Sequence, residues 1–220
     1  MNGKVVGAII AVLIIVGIAG ILHSSTSPPQ ENAGNPKGAV LARMGSLGCY
    51  QYEENITTAE GGVTEHSIIY GGYSNGSYFF HGRKKGLEWW GLLEGNNLRE
   101  KILRNGSVSW ANLSLTGSEV KDLTLYDPVK TGLRALGSTS AVEVSGGWIT
   151  ANYTLYITYK GSGAIMTGTI KVLYGKDYSP KRIELKGKIS RGEVILQEFS
   201  ISAVLSPSCE PPEWVKELGG

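Results

Sequence analysis

The feature that most restricts how this chain can fold is an uninterrupted apolar run near its start. Val5 to Leu22 contains no charged or strongly polar side chain. As an α-helix the run spans about 27 Å, close to the ~30 Å thickness of the hydrocarbon core of a bilayer. Only a helix or a closed barrel satisfies its backbone hydrogen bonds in lipid, and one short segment cannot form a barrel. The run therefore predicts a transmembrane helix.

The charges around this run predict its orientation. Lys4 and the N-terminal amine precede it, and no Lys or Arg follows before Lys37. Because positive residues stay on the cytoplasmic side, residues 1–4 are expected inside and everything after Leu22 outside. The alternative is a cleaved signal peptide, whose apolar region is usually ~7–15 residues and ends at a small-residue cleavage site. The run is longer and lacks a good site, so we predict an uncleaved signal anchor over residues 1–22, and both interpretations place the domain outside.

The next segment, residues 23–38, is predicted to be a polar, flexible stalk. Apart from its prolines, its one apolar side chain is Ala33. Such a composition cannot form a core, but it can hold a domain away from a bilayer. The remaining residues, 39–220, have the length expected of one folded domain. We therefore expect a single-pass membrane protein with one extracytoplasmic domain after the stalk.

Sequons agree with an outside location. Five Asn-x-Ser/Thr sequences follow the apolar run, at Asn55, Asn75, Asn105, Asn112 and Asn152. They predict N-glycosylation in a host that has the machinery. Asn75-Gly76 and Asn105-Gly106 are also typical two-residue hairpin turns, which is an alternative reason for two of the five.

The two cysteines lie near the two ends of the predicted domain. Cys49 and Cys209 form no zinc or redox motif. An oxidising exterior allows a disulfide between them, and two unrelated buried thiols are the alternative. We predict the disulfide.

Most of the domain is predicted to be β-structure. Short runs of Val, Ile, Thr and Tyr alternate with Gly-containing turns, as in strands joined by hairpins. The predicted early strands are 50–57, 63–70, 77–83, 87–93, 98–103 and 108–113, with turns at Gly71-Gly72, Asn75-Gly76 and Asn105-Gly106. Between residues 153 and 205, alternation of apolar and polar side chains predicts four strands of an antiparallel meander.

Two helices are predicted within the domain. One follows the stalk, over residues 39–47. The other is Pro128–Leu136, with Asp127 as its cap, Pro128 in its first turn and Gly137 as its stop. The predicted fold class is thus mainly β (α+β): a curved antiparallel sheet or half-open β-barrel with one or two covering helices, preceded by the transmembrane helix.

The sequence contains no pattern that identifies a catalytic, metal or cofactor site. His66 and His81 have no paired ligand spacing, and neither a phosphate-binding loop nor a G-x-S-x-G elbow is present. The densest basic run, Arg83-Lys84-Lys85, does not predict a nucleic-acid-binding face. We therefore expect a protein that is not an enzyme, uses no cofactor or metal and binds no nucleic acid.

Aromatic residues are the remaining sign of function. Trp89 and Trp90 are consecutive, so in a strand they face opposite sides and one of them leaves the main core. Two interpretations stay open: ordinary core packing, or the lining of an apolar ligand cavity under the second helix. The residues assigned to such a cavity are Phe80, Trp89, Trp90, Trp110, Trp148 and Leu133.

Several stretches resemble the LolA/LppX-like lipoprotein-carrier superfamily. They read YGGYSNGSYFF, LRNGSVSWAN, LYDPVKTGLRAL and YSPKRIELKGKISRGEVILQEFSIS. Together with the order of elements, the resemblance covers roughly residues 39–205. It implies a half-open β-barrel, closed by helices, that holds a lipid or a lipidated protein in its apolar concavity.

The chain departs from this family pattern in two ways. It has no lipobox cysteine, and it carries the apolar run Val5–Leu22. The resemblance therefore implies a binding domain tethered to its membrane and acting near it, with a lipid or a lipidated protein as its partner. The alternative is a glycosylated cell-envelope protein that binds another protein, of unknown identity, without a small ligand.

Overall fold

The computed structural model of the chain describes residues 18–19, 35–123, 127–159 and 162–219. These residues form one antiparallel sheet of twelve strands together with four α-helices. The strands are β1 (Ile18–Ala19), β2 (Tyr50–Glu60), β3 (Val63–Ser74), β4 (Ser77–Lys84), β5 (Leu87–Glu94), β6 (Asn97–Arg104), β7 (Ser107–Ser114), β8 (Glu143–Ser145), β9 (Trp148–Tyr159), β10 (Ser162–Tyr174), β11 (Pro180–Arg191) and β12 (Val194–Ser206). The helices are α1 (Pro36–Gly45), α2 (Gly117–Leu123), α3 (Pro128–Gly137) and α4 (Glu213–Gly219).

The sheet is open and curved. Its strand order is β1-β9-β10-β11-β12-β2-β3-β4-β5-β6-β7. Strand β8 pairs with the edge of β9 that faces away from β10. Consecutive strands pair from β2 to β7 and from β8 to β12, while β12 returns beside β2 and β1 pairs with β9. The predicted mainly β fold, a curved antiparallel sheet with covering helices, is confirmed for the described residues.

The predicted transmembrane helix, Val5–Leu22, lies outside the described residues except for Ile18 and Ala19, which form β1 beside β9. Within the described ranges, no helix is long and apolar enough to cross a bilayer. The predicted stalk, residues 23–38, also lies largely outside them. Its last residues, 36–38, belong to α1, because the Asn35 side chain accepts a bond from the Gly38 amide and starts the helix earlier than predicted.

Two predicted turns are confirmed and one is wrong. Asn75 and Asn105 have φ angles of 51° and 49°, as two-residue Asn-Gly hairpin turns require. Gly71-Gly72 is part of β3 instead of a turn. A Cβ atom at Gly71 would lie 2.5 Å from the Tyr52 ring, and one at Gly72 would lie 2.6 Å from the Phe79 ring. These glycines make room for rings on neighbouring strands, so their presence does not mark a change of chain direction.

The helix predicted to cover the sheet does so. Helix α3 begins at Asp127, whose Oδ1 accepts bonds from the amides of Val129 (2.8 Å) and Lys130 (3.0 Å). It packs against α1 and against β9, β10 and β11. A Cβ atom at Gly132 would lie 3.1 Å from both Ile183 and Met44, so these layers are in direct contact. The side chains on this side of the sheet form the main core.

Further along the same side lies α2, which the sequence did not predict. Val120 and Leu123 pack on Leu93 and Leu98. Helices α1, α2 and α3 therefore lie on one face of the sheet, which we call the inner face.

The fourth helix, α4, lies on the opposite, outer face. Its Val215 and Leu218 form a small buried cluster with Phe79 and Leu92. The segment before it is held by the predicted Cys49–Cys209 disulfide, which is confirmed, with the two Cα atoms 5.2 Å apart. The Ser74 hydroxyl also donates a hydrogen bond to the Cys209 carbonyl at 2.9 Å.

Breaking this disulfide is expected to lower stability and to loosen α4. The bridge joins residues separated by 160 positions, and closing so long a loop contributes about 4–5 kcal/mol in the chain-entropy model. The double variant Cys49→Ser/Cys209→Ser should therefore unfold at a lower urea concentration. Hydrogen exchange should show that α4 loses protection while β10 and β11 keep theirs. Equal unfolding midpoints and equal α4 protection in the two proteins would contradict this prediction.

Candidate functional site

Strand register assigns each side chain of the sheet to the inner or the outer face. Trp89 lies opposite Gly82 on the inner face, where its ring covers the glycine. Trp90 lies opposite His81 on the outer face, and the two rings stack at 4.7 Å between centroids. The consecutive tryptophans therefore lie on opposite sides of the sheet, as predicted.

The larger of the two described cavities is a groove on the outer face, with a volume of about 600 Å³. We call it the outer groove. It crosses β11, β12, β2, β3 and β4, and the C-terminal segment forms one wall. Its aromatic and apolar lining residues are Tyr52, Tyr70, Phe79, Val204, Leu205, Pro212 and Trp214. Its polar lining includes Gln51, Glu53, Asn55, His81, Arg182 and Ser202.

The aromatic side of the outer groove is built from two strands and α4. The Trp214 ring meets Phe79 edge-on at 6.0 Å and His81 edge-on at 6.1 Å. The His81 Nε2 atom lies 2.7 Å from Oε1 of Glu88. Stacking on Trp90 and pairing with Glu88 fix the imidazole, so the groove has a preformed aromatic wall.

The polar side of the outer groove is fixed by hydrogen bonds. Nε of Arg182 lies 2.8 Å from Oε1 of Glu184, and its NH2 group donates to the Ser202 hydroxyl at 3.0 Å. Gln51 donates from its amide to the Ser208 hydroxyl at 3.2 Å and to the Glu210 carbonyl, which ties the C-terminal segment to β2. One side of the groove can therefore contact an apolar group while the other supplies hydrogen-bonding groups.

The second described cavity lies beside the first on the outer face. It has a volume of about 350 Å³ and is lined by Trp148, Lys171 and Glu184, among others. Glu184 also holds Arg182 of the outer groove, so one ion pair separates the two cavities.

The inner face carries a carboxyl group in an unusual environment. Glu54 is 1% exposed, and neither of its side-chain oxygens has a hydrogen-bond partner. Burial raises the pKa of Glu54 well above its usual range, and the charge of nearby Asp127 adds to the increase. Asp127 itself accepts a hydrogen bond from the Tyr50 hydroxyl. Period-two spacing after Tyr50 and Tyr52 was the sequence signal that could have placed Glu54 on the buried face.

A second buried acid lies on the same face in β6. Glu100 is opposite Gly91 and Ala111, and burial raises its pKa to about 7. Glu54 and Glu100 thus both keep their protons to a higher pH than exposed carboxyl groups do.

The residues predicted to line one cavity are not brought together. Phe80 and Trp89 are on the inner face, whereas Trp90, Trp110 and Trp148 are on the outer face. Trp148 lines the smaller cavity, and the Lys101 ammonium lies between Trp90 and Trp110, at 5.1 and 5.3 Å from the ring centroids. Leu133 packs on the core from α3. Alternation within strands separates this set. The sequon asparagines, Asn55, Asn75, Asn105, Asn112 and Asn152, are all exposed.

Replacing Glu54 by glutamine is expected to raise stability at neutral pH. The unfolded carboxyl ionises near its ordinary value of 4.5, whereas the folded one keeps its proton to higher pH. Stability is therefore lost as pH rises above 4.5, and a neutral glutamine removes this loss. At pH 7 the free energy of unfolding from urea titrations should increase by more than about 1 kcal/mol, and its decline with pH should be smaller.

The matched control for this prediction is Glu53→Gln. Glu53 is the next residue of β2, but it is exposed on the outer face. Its replacement should change stability by less than about 0.5 kcal/mol. If the Glu54 variant has the same pH dependence as the wild-type chain, the assignment of Glu54 as a protonated buried acid is wrong.

Comparison with known proteins shows likeness at the level of fold. No family model and no curated protein matches the chain. A DUF1329 family protein from Desulfovibrio piger is similar with a TM-score of 0.38 and 11% identity, over 88% of this chain and 100% of that one. A LolA superfamily protein from Nitrosomonas europaea has a TM-score of 0.35 and 10% identity, over 84% and 97%. The MucA/MucB complex of Pseudomonas aeruginosa is similar with a TM-score of 0.36 and 11% identity, over 82% of this chain and 59% of that one.

The similar structures include a LolA superfamily protein, from the superfamily that several stretches of the sequence resemble.

Proposed function

We propose that this chain is an extracytoplasmic binding domain that holds an amphipathic, lipid-like ligand, or the lipidated segment of a partner, in the outer groove. The observation that carries the proposal is the groove itself. Its volume of about 600 Å³ falls within the ~300–1,000 Å³ range of ligand sites. The proposal needs no catalytic residue, cofactor or metal.

The two sides of the outer groove fit the two parts of such a ligand. Phe79 and Trp214 offer an apolar wall for an acyl chain, extended by the exposed side chain of Val204. The Arg182 guanidinium, held by Glu184 and Ser202, offers its remaining N–H donors to a polar headgroup.

The close packing of the inner face also favours the outer groove as the ligand site. Helix α3 lies in direct contact with the sheet. We therefore propose a ligand site on the outer face instead of the cavity that the sequence predicted under this helix. The disulfide is the kind found in oxidising compartments, which agrees with an extracytoplasmic domain. The apolar run Val5–Leu22 would keep the domain next to the membrane that supplies the ligand.

The second candidate function is recognition of another envelope protein, as proposed from the sequence for a glycosylated domain. It is favoured by the mixed charge of the groove rim, where Glu53 and Arg182 lie together with the amide groups of Gln51 and Asn55. Such a rim also fits an extended peptide segment. Photolabelling with a lipid probe separates lipid binding from protein binding.

Photolabelling in membranes tests the proposal. The full chain is reconstituted into vesicles that contain a phospholipid with a diazirine on its acyl chain, and the labelled peptides are identified by mass spectrometry. We expect labels on the peptides that contain Phe79 and Trp214. Val204→Glu places a charge in the groove and should reduce this labelling about tenfold, which corresponds to about 1.4 kcal/mol.

The matched control is Val194→Glu, on the same strand. Val194 is 62% exposed and Val204 54%, but Val194 is not among the residues that line the groove. The control should label like the wild-type chain. Equal labelling in both variants, or labels confined to other parts of the domain, would contradict lipid binding in the groove. Crosslinks from the groove to a second protein would favour the alternative.

A further inference from the structure

Among the strands that the structure describes, β7 lies at one edge of the sheet and pairs with a strand on one side only. It is the last strand in the sheet order, and it pairs along all eight residues with β6, without a bulge. Its sequence, SVSWANLS, contains no charged residue and no proline. Edge strands are normally protected by a charge, a proline, a bulge or a covering element, because unpaired amides and carbonyls attract another strand. Strand β7 itself carries none of the first three.

The open side of β7 presents backbone groups in a regular row. The two-residue turn Asn105-Gly106 makes Arg104 and Ser107 the closing pair of the hairpin, and such pairs exchange both of their backbone hydrogen bonds. By alternation, the amides and carbonyls of Val108, Trp110 and Asn112 point away from β6. This edge is a template for one more antiparallel strand.

The side chains of the same residues are also exposed. Val108 is 54% exposed and Trp110 60%, both on the outer face. The Trp110 ring is held by the Lys101 ammonium at 5.3 Å, so it is positioned although it is not buried. An exposed, ordered tryptophan beside unpaired backbone groups is typical of a contact surface.

Charges at the two ends of β7 indicate which strand fits. The hairpin end carries the exposed basic residue Arg104 at the end of β6, whereas the opposite end is followed by the exposed acid Glu119 in α2. If a second copy of β7 pairs antiparallel, the basic end of each copy lies beside the acidic end of the other. This self-complementary arrangement is what a two-fold interface requires.

We propose that β7 strands of two copies pair antiparallel about a two-fold axis at Trp110, which joins two sheets into one. In this register Trp110 lies opposite Trp110 of the second copy, and Val108 lies opposite Asn112 of the second copy. The interface is separate from the outer groove, whose lining strands end at β4. It therefore does not depend on the ligand proposed for the groove.

Cysteine crosslinking of the full chain tests this pairing. Paired residues that exchange backbone bonds have Cα atoms ~5.5 Å apart, within the ~4.4–6.8 Å range of disulfides. Trp110→Cys, purified in detergent micelles without N-glycans and mildly oxidised, should form a covalent dimer on a non-reducing gel. Val204→Cys is the control, since Val204 is 54% exposed on the outer face but belongs to an interior strand. We expect at least tenfold more dimer from Trp110→Cys.

Two further variants test whether the backbone edge carries the pairing. In the Trp110→Cys chain, Val108→Pro removes an amide that points away from β6, which an edge strand tolerates. Val108→Lys instead adds a charge at the edge. Both should reduce the dimer at least tenfold while the melting temperature stays near that of the parent. Dimer yields no higher than for Val204→Cys, or yields unchanged by both Val108 variants, would overturn the proposal.

Discussion

The outer groove depends on a covalent constraint between distant parts of the chain. The Cys49–Cys209 disulfide holds the C-terminal segment on the outer face, and hydrogen bonds from Gln51 and Ser74 fix the same segment to β2 and β3. Beyond the bridge, Arg99 donates to the carbonyl of Leu218 at 3.1 Å and holds the last turns of α4 on β6. Because of these contacts, Trp214 stands against Phe79 and forms a wall. Without the segment, the outer face would be a surface of exposed strands and no groove would form.

Alternation along each strand decides which residues can contribute to recognition. Glu53 and Glu54 are consecutive, yet the first is exposed at the groove and the second is buried on the inner face without a partner. A buried carboxyl group is destabilising when it is ionised. Burial in the closely packed inner face therefore raises the pKa of Glu54. Asp127 is tolerated nearby because it caps α3 and accepts a bond from Tyr50. The inner face is thus occupied by the core and by three helices.

Local chemistry made much of the fold predictable. The turns at Asn75-Gly76 and Asn105-Gly106 were predictable because Asn and Gly are favoured where a hairpin needs positive φ angles. Helix α3 was predictable because Asp127 caps it and Pro128 lies in its first turn. Gly71-Gly72 was wrongly predicted to be a turn. Glycine also occurs where a ring from a neighbouring strand packs on the backbone, and that contact depends on the strand register. The groove could not be predicted for the same reason: its walls come from residues as far apart as Gln51 and Trp214. Helix α2 has only seven residues and a glycine at its start, so its sequence signal is weak.

An open sheet has to manage its edges as well as its faces. At the β9 end, short strands β1 and β8 each cover part of the edge. At the other end, β7 is a neutral strand, and its Leu113 packs with Leu98 of β6 in the cluster under α2. Within the part of the chain that the structure describes, the outer face carries the groove and this edge carries the exposed Trp110. A bound ligand and a second copy could then be accommodated together, because the groove and β7 are separated by two intervening strands, β5 and β6.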